Sequence, residues 1–440
     1  MIHYLKIRNF GPIKDEVQIN FEAVEESQDD AYETKMPDGI RLIKLAYIYG
    51  ANASGKTTIL KAFDFLRRLL TKPVTDKAVE LDYEPFLFRQ NPYTQASEFE
   101  LSFYADGIRH IYNVSFNKQA VLHEKIVFYQ TAKPTELFTR HTNIDKRLTT
   151  IEFGSRIKVA ARERDLLEGN TLHNNSVIGG YAKTNVDIPE LEVLNRWFDT
   201  YLLGLITSND NLTEITASYL DRNPLAESWI NAFMNKADHQ ISEVKVFDLA
   251  KTYVSIPLEE NFLLPQKSEA RQTKIKAVSD KTKFYGGGSI HRQIDFIHKL
   301  KNGSYSLSIL KESNGTRRYF GLGGPLYELV HNSHLLCIDE LETSLHPDLM
   351  VFFLQVFLLN SKQSQMLVTT HNVSLMENLD FLRKDALWFS EKDDTGAVSL
   401  YSASDFDSAT LRKDANILRA YRAGKLGAKP NLGSPYLIEE

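Results

Sequence analysis

Hydrophobic and polar positions alternate loosely at the start of the chain, in YLKIRNF and again in VQINFE, with Gly11-Pro12 between them. That pattern predicts two short strands joined by a turn. Residues 22–40 are acidic and poor in large apolar groups, and read as a loop. LIKLAYIYG at 42–50 is apolar almost throughout, as in a strand buried on both faces. The period then changes. TTILKAFDFLRRLL at 57–70 carries its apolar residues at helical spacing.

Alternation returns from 97 to 130, with Asp106-Gly107 in turn position, and predicts an antiparallel meander. From about 154 the pattern is helical. GSRIKVAARERDLLEG, IPELEVLNRWFDTYLLGLI and PLAESWINAFMNKA each read as a helix, and strands resume at ISEVKVFDL. After 303 strands and helices alternate: YSLSIL, a helix at about 315–331, HLLCID, PDLMVFFLQVFLLN, QMLVTT and ALWFS. The expected class is α/β. Four segments follow: a first lobe at 1–153, a mainly helical insertion at 154–240, strands with a basic loop at 241–303, and a second lobe at 304–440. No heptad pattern runs for several repeats, so no long coiled-coil arm is expected.

Composition narrows the partners. The 440 residues are 42% hydrophobic and 25% charged, with net charge −5, so a nucleic-acid-binding face would have to be local. Two local candidates exist: 267–301, with Gly286–Gly288 inside it, and the C-terminal set Arg412, Lys413, Arg419, Arg422, Lys425 and Lys429. The single cysteine, Cys337, excludes an intrachain disulfide and fits a reducing compartment. No apolar run approaches ~20 residues and the N-terminus lacks a signal-peptide core, so a cytoplasmic protein without membrane contact is expected.

The chemistry starts between the buried strand and the first long helix. Gly50, Ala51, Asn52, Ala53, Ser54, Gly55, Lys56 and Thr57 satisfy G-x-x-x-x-G-K-[ST], with Thr58 opening the helix. The glycines let successive N–H groups face one concavity, and the helix N-terminus adds partial positive charge. Lys56 then neutralises nucleotide phosphates, and the Thr57 hydroxyl is a Mg²⁺ ligand. Downstream, HLLCIDE is an apolar strand ending in two acids. Asp339 is placed to hold Mg²⁺ through water, and Glu340 to polarise an attacking water.

Ser313 and Gly315, in ESNGTRR, stand at the start of a predicted helix and form a second anion site. One phosphate loop already serves its own subunit, so this second site points to contact in trans across ATP. His371 closes the strand QMLVTT, where it can sense the terminal phosphate. Together Lys56, Glu340 and His371 form the candidate catalytic set.

This order of motifs resembles ABC-type ATPases, and more narrowly their RecF/SMC branch. The opening MIHYLKIRNFGPIKD fits that resemblance. ESNGTRR, CIDELETSLHP, VTTHN, LRKDALWF and RKDANILRAYRAGKLGAKP are similar to the stand-alone ATPases of abortive-infection operons and to the ATPase half of overcoming-lysogenisation-defect nucleases. The resemblance implies an ABC-type P-loop head, a mixed sheet with an antiparallel subdomain, ATP and Mg²⁺ as cofactors, and a homodimer or larger homo-oligomer closed around ATP. It further implies a switch acting on a separate nuclease or toxin in anti-phage defence. Too few residues follow His371 for the nuclease domain of the larger relatives, so such an effector is expected on another chain. By the same resemblance Gln90 is the candidate glutamine for Mg²⁺, and Asn9, with Arg8, the candidate contact to the base. Two alternatives stand beside this reading: a RecF-like DNA-maintenance ATPase, and a slowly hydrolysing ATP-dependent scaffold.

Overall fold

The computed structural model describes residues 1–24, 31–220, 223–238, 240–248, 292–377, 383–406 and 417–430. They fall into two compact units, Met1–Asp210 with the chain from Glu328 onward, and Asn211–Tyr327.

The first unit opens with β1 (Ile2–Arg8), β2 (Val17–Asn20), β3 (Glu33–Lys35), β4 (Arg41–Ile43), β5 (Leu45–Tyr49) and helix α1 (Lys56–Thr71). A meander follows: β6 (Ser97–Ala105), β7 (Ile108–Phe116), β8 (Val121–Tyr129), β9 (Thr135–Asn143) and β10 (Leu148–Phe153). With β1 and β2 it makes a seven-stranded antiparallel sheet in the order β10-β9-β8-β7-β6-β1-β2. The β6–β7 turn is tight because Asp106 and Gly107 both have positive φ, 48° and 76°, matching strand twist. Helices α2 (Ala161–Asn170), α3 (Val177–Tyr181) and α4 (Pro189–Tyr201) come next.

The second unit holds α5 (Leu212–Leu220), α6 (Pro224–Ala237), the sheet of β11 (Ile241–Asp248), β12 (Arg292–Leu300) and β13 (Gly303–Ser308), and most of α7 (Asn314–His331). Pro325 lies inside α7 and has no N–H for the carbonyl of Gly321. The Thr216 hydroxyl donates to that carbonyl at 2.6 Å, so the helix continues with its acceptor satisfied. Gly321 permits this approach: a Cβ there would meet the Leu212 Cβ at 2.6 Å.

The chain then returns to the first unit through β14 (Leu335–Ile338), α8 (Pro347–Asn360), β15 (Gln365–Thr369), β16 (Leu387–Lys392), β17 (Val398–Ser402) and α9 (Ile417–Arg422). A five-stranded sheet results, in the order β14-β15-β5-β16-β17, parallel except for the last pair. All five residues of β5 are buried, as are all of β14 and β15, which accounts for their unbroken apolar runs. Strand ends carrying the motifs therefore gather on one edge of this sheet, the usual place for a ligand in an open α/β layer.

The single helical insertion expected at 154–240 is divided in the structure. Helices α2–α4 belong to the first unit, where Trp197 stacks on Phe103 at 4.3 Å and the Ser176 hydroxyl donates to the Leu69 carbonyl at 2.9 Å. Helices α5 and α6 belong to the second unit. The helix read through Ile206 ends at Tyr201, because Leu202 and Ile206 pair in parallel with Leu335 and Ile338 at the edge of β14. β9 and β10 extend the meander beyond the expected strands. Arg140, fully buried on β9, pairs with the equally buried Glu124 on β8 at 3.0 Å. Glu124 also accepts from the Tyr112 hydroxyl and the Val177 N–H, and Arg140 donates to Thr149, Leu172 and His173. Burial raises the Glu124 carboxyl and lowers the Arg140 guanidinium from their ordinary values, and each charge pulls the other back.

Candidate nucleotide site

The loop from Gly50 to Gly55 connects β5 to α1 under tight steric limits. A Cβ on Gly50 would meet the Ser390 carbonyl oxygen at 2.4 Å, and Gly55 has φ +95° with Val398 2.6 Å from where its Cβ would stand. Ala53 also has positive φ, 61°, a costly conformation for a residue with a side chain. Ser390 on β16 steadies the loop by donating its hydroxyl to the Ser54 carbonyl at 2.6 Å. The buried Lys56 ammonium donates to the carbonyls of Gly50 and Ala51 at 3.0 and 2.9 Å. Burial lowers its pKa, opposed by Asp339, Glu342 and Glu340.

The second strand end meets this loop. The Thr57 hydroxyl donates to Asp339 at 3.0 Å, and the Thr369 hydroxyl, at the end of β15, donates to the same carboxylate at 2.6 Å. Thr369 also accepts the Glu340 N–H at 2.9 Å. Glu340 has φ +51°, so the chain turns sharply after Asp339 and leaves the Glu340 side chain exposed. Three strands thus supply one hydrogen-bonded cluster: Thr57 after β5, Asp339 after β14 and Thr369 on β15.

His371 follows on the same edge. Its N–H donates to Glu342 at 2.6 Å, and the Tyr49 hydroxyl donates to the next carbonyl, of Asn372, at 3.1 Å. Burial and then the Lys56 charge hold the His371 ring below its ordinary pKa, against Glu342, Glu340 and Asp339. Glu342 was not among the residues expected here from sequence. Its second carboxylate oxygen is buried and has no hydrogen-bond partner among the described residues.

A cleft of about 730 Å³ opens beside the loop, lined by Gly50–Asn52, Tyr49, His371, Tyr421 and Lys429. A second, of about 530 Å³, lies between Asn52–Ser54 and the β16–β17 turn, again with Lys429 on its rim. The C-terminal basic residues therefore include one at the phosphate loop, which its sequence context did not single out.

The remaining expected residues are placed as follows. Ser313 and Gly315 lie in the second unit at the start of α7; Ser313 is exposed and its hydroxyl accepts the Thr316 N–H at 3.0 Å. Asn9 is buried with φ +54°, and its amide bonds the backbone of Gln95, Ala96 and Phe86, so its observed work is to pin those loops. Arg8 pairs with Glu98 at 3.4 Å. Gln90 is exposed on its loop and takes no part in the Thr57–Asp339–Thr369 bonds. His346 caps α8 by accepting the Asp348 N–H. Residues 267–291, Arg412 and Lys413 lie outside the described residues; Arg292 pairs with Glu214 at 2.6 Å.

The site fits Mg²⁺ with a nucleotide. Among the described residues no three His, Cys, Asp or Glu side chains form a metal nest. The donors present, the Thr57 hydroxyl and the Asp339 carboxylate, suit an ion that completes its shell with water and phosphate oxygens.

Residues 45–377, from the strand before the loop to just past His371, match the model of the family described as "AAA domain, putative AbiEii toxin, Type IV TA system". The chain belongs to this AAA family. Members of the AAA family are ATPases that bind ATP with Mg²⁺. No curated protein matches the sequence. Among solved structures the chain is similar to the SMC head domain from Thermotoga maritima, at TM-score 0.40 and 14% identity over 91% of this chain and 98% of that one. An SMC head bound to the C-winged helix domain of ScpA aligns at TM-score 0.44 and 11% identity, covering 91% and 97%. An SMC head with an extended coiled coil, bound to the C-terminal domain of ScpA derived from Pyrococcus furiosus, aligns at 0.38 and 11%, covering 91% and 96%. Likeness at that level carries no argument about partners. The AAA family and the chain's own strand order agree with the α/β P-loop head expected from the sequence.

Proposed function

We propose that the chain hydrolyses ATP, closes as a dimer around two nucleotides, and uses that cycle to control a separate nuclease or toxin in anti-phage defence. The observation that carries the hydrolytic part is the joining of Thr57, Asp339 and Thr369 in one cluster directly beneath the Lys56 loop. Lys56 exchanges its two carbonyl partners for phosphate oxygens. Thr57 and Asp339 would hold Mg²⁺, which would neutralise charge on the phosphates. Glu340 takes a proton from the attacking water, and His371 reads the terminal phosphate.

The dimer part rests on Ser313 and Gly315. An exposed serine and a glycine at a helix start suit an anion presented by a second copy. The defence part rests on the motif resemblance and on a family description that includes a toxin–antitoxin system.

Light scattering tests the dimer. Glu340→Gln binds ATP without consuming it, so its mass should double with Mg²⁺-ATP. Adding Ser313→Arg should keep it monomeric. An unchanged mass of Glu340→Gln at saturating ATP contradicts the ATP-closed dimer.

A further inference from the structure

The loop after the two strand-end acids contains a carboxylate that the mechanism above leaves unused. Glu342 spends one oxygen on the His371 N–H at 2.6 Å. Its other oxygen is buried without a partner among the described residues. An unsatisfied buried acceptor typically costs about 1–3 kcal/mol, and more when charged. Glu342 also adds a third negative charge beside Asp339 and Glu340, on the edge where phosphates bind. Its nearby groups are the Lys56 ammonium and the His371 ring, both of which burial pushes toward the neutral form and Glu342 opposes. A glutamine would fit the same space, keep the acceptor for His371 and remove the repulsion. A charge kept at such a cost in a nucleotide site is a mark of function traded against stability.

We propose that Glu342 is a positioning residue for ATP hydrolysis: its bond to the His371 main-chain N–H ties the His371 loop to the loop after β14, and its free oxygen is the acceptor for the N–H of the neutral His371 ring, which turns the ring toward the terminal phosphate. This rests on the nucleotide-site reading above. Glu342 thereby links the residue that reads the phosphate to the segment 341–346 that follows the Mg²⁺-binding and proton-accepting acids. Two loops 29 positions apart in sequence then move together.

The test uses the full chain with Glu342→Gln and Glu342→Ala. Binding of a fluorescent ATP analogue and single-turnover hydrolysis are measured side by side, with thermal melting as the control. For Glu342→Gln the expected result is a split. Affinity stays equal or rises, because a negative charge has left the phosphate edge, while turnover falls about tenfold or more. Melting is unchanged or higher. Glu342→Ala, which also loses the bond to His371, falls further in turnover. Wild-type turnover in Glu342→Gln overturns the proposal. A parallel loss of affinity and turnover also overturns it, since the carboxylate would then serve binding. Lys56→Ala separates the two levels. If it loses the analogue while Glu342→Gln behaves as wild type, only the Glu342 role fails; if it binds normally, the nucleotide site itself is misread.

Discussion

Two charged networks in the first unit are built from similar parts and differ in their balance of charge. In the Glu124–Arg140 pair the two charges are fully buried and balance one another, and Tyr112, Thr149, Val177, Leu172 and His173 take up bonding positions around them, leaving the Arg140 Nε without a partner among the described residues. Around Lys56 the balance is left open. Three carboxylates face one ammonium and one ring, one carboxylate oxygen has no partner, and Lys56 settles on its own loop's carbonyls. A balanced network fixes a sheet to a loop. An open one, on the proposed reading, is balanced by a polyanion and a cation when they bind. The difference separates a structural charge from a chemical one more reliably than burial does, since Arg140 and Lys56 are both buried.

The comparison breaks if substitutions in the two networks have the same effect. The largest effect is expected in the open one. Asp339→Asn should lower ATP turnover by at least about a hundredfold through loss of the Mg²⁺ contact, while unfolding free energy stays within about 1 kcal/mol, because the amide oxygen still accepts from Thr57 and Thr369. Turnover assays and urea melts on the same samples check both halves. In the balanced network the order reverses. Arg140→Met strands the Glu124 charge and should destabilise by about 3–5 kcal/mol in denaturant melts. Its remaining folded fraction should bind ATP with unchanged affinity, and weakened binding in that fraction would show the networks to be coupled.

A smaller effect sharpens the same distinction through pH. Burial lowers the His110 pKa from 6.5 to about 4, where its ring stacks on Phe103 and bonds the Ile108 carbonyl. The folded state therefore holds the neutral ring below the pH at which the unfolded chain takes up a proton. Its contribution is complete above pH 6.5 and is lost as pH falls from 6.5 toward 4, roughly 3 kcal/mol in all. His110→Gln should flatten that part of the stability–pH curve. An unchanged slope would remove His110 from the account.

What the sequence revealed follows from which interactions are local. β5, the phosphate loop and α1 were legible because an all-buried strand, a glycine-bounded turn and a helical period are consecutive. Asp339 and His371 were legible as strand ends for the same reason. Glu342 was not, since a glutamate in ETSLHP looks like any solvated loop acid until the fold brings it to His371. Arg140 hid β9 in the same way: a charged residue at an inward position masks the alternation of a strand. Lys429 joined the site through three left-handed residues, Gly424, Gly427 and Ala428, that fold the C-terminal segment back, and no periodicity signals such a path. The Asn9 base contact expected by resemblance gave way to a local task. An asparagine with positive φ at the end of β1 spends its amide on neighbouring backbone.

The central claim is that the open network is a nucleotide site gripped by Lys56. Titration calorimetry of ATP into the wild-type chain and into Lys56→Ala, both with Mg²⁺, tests it most directly. The account predicts saturable binding by the wild type and affinity at least about a hundredfold weaker in the variant, the loss of a buried charge-assisted grip on phosphate. Equal affinity in the two proteins would contradict it.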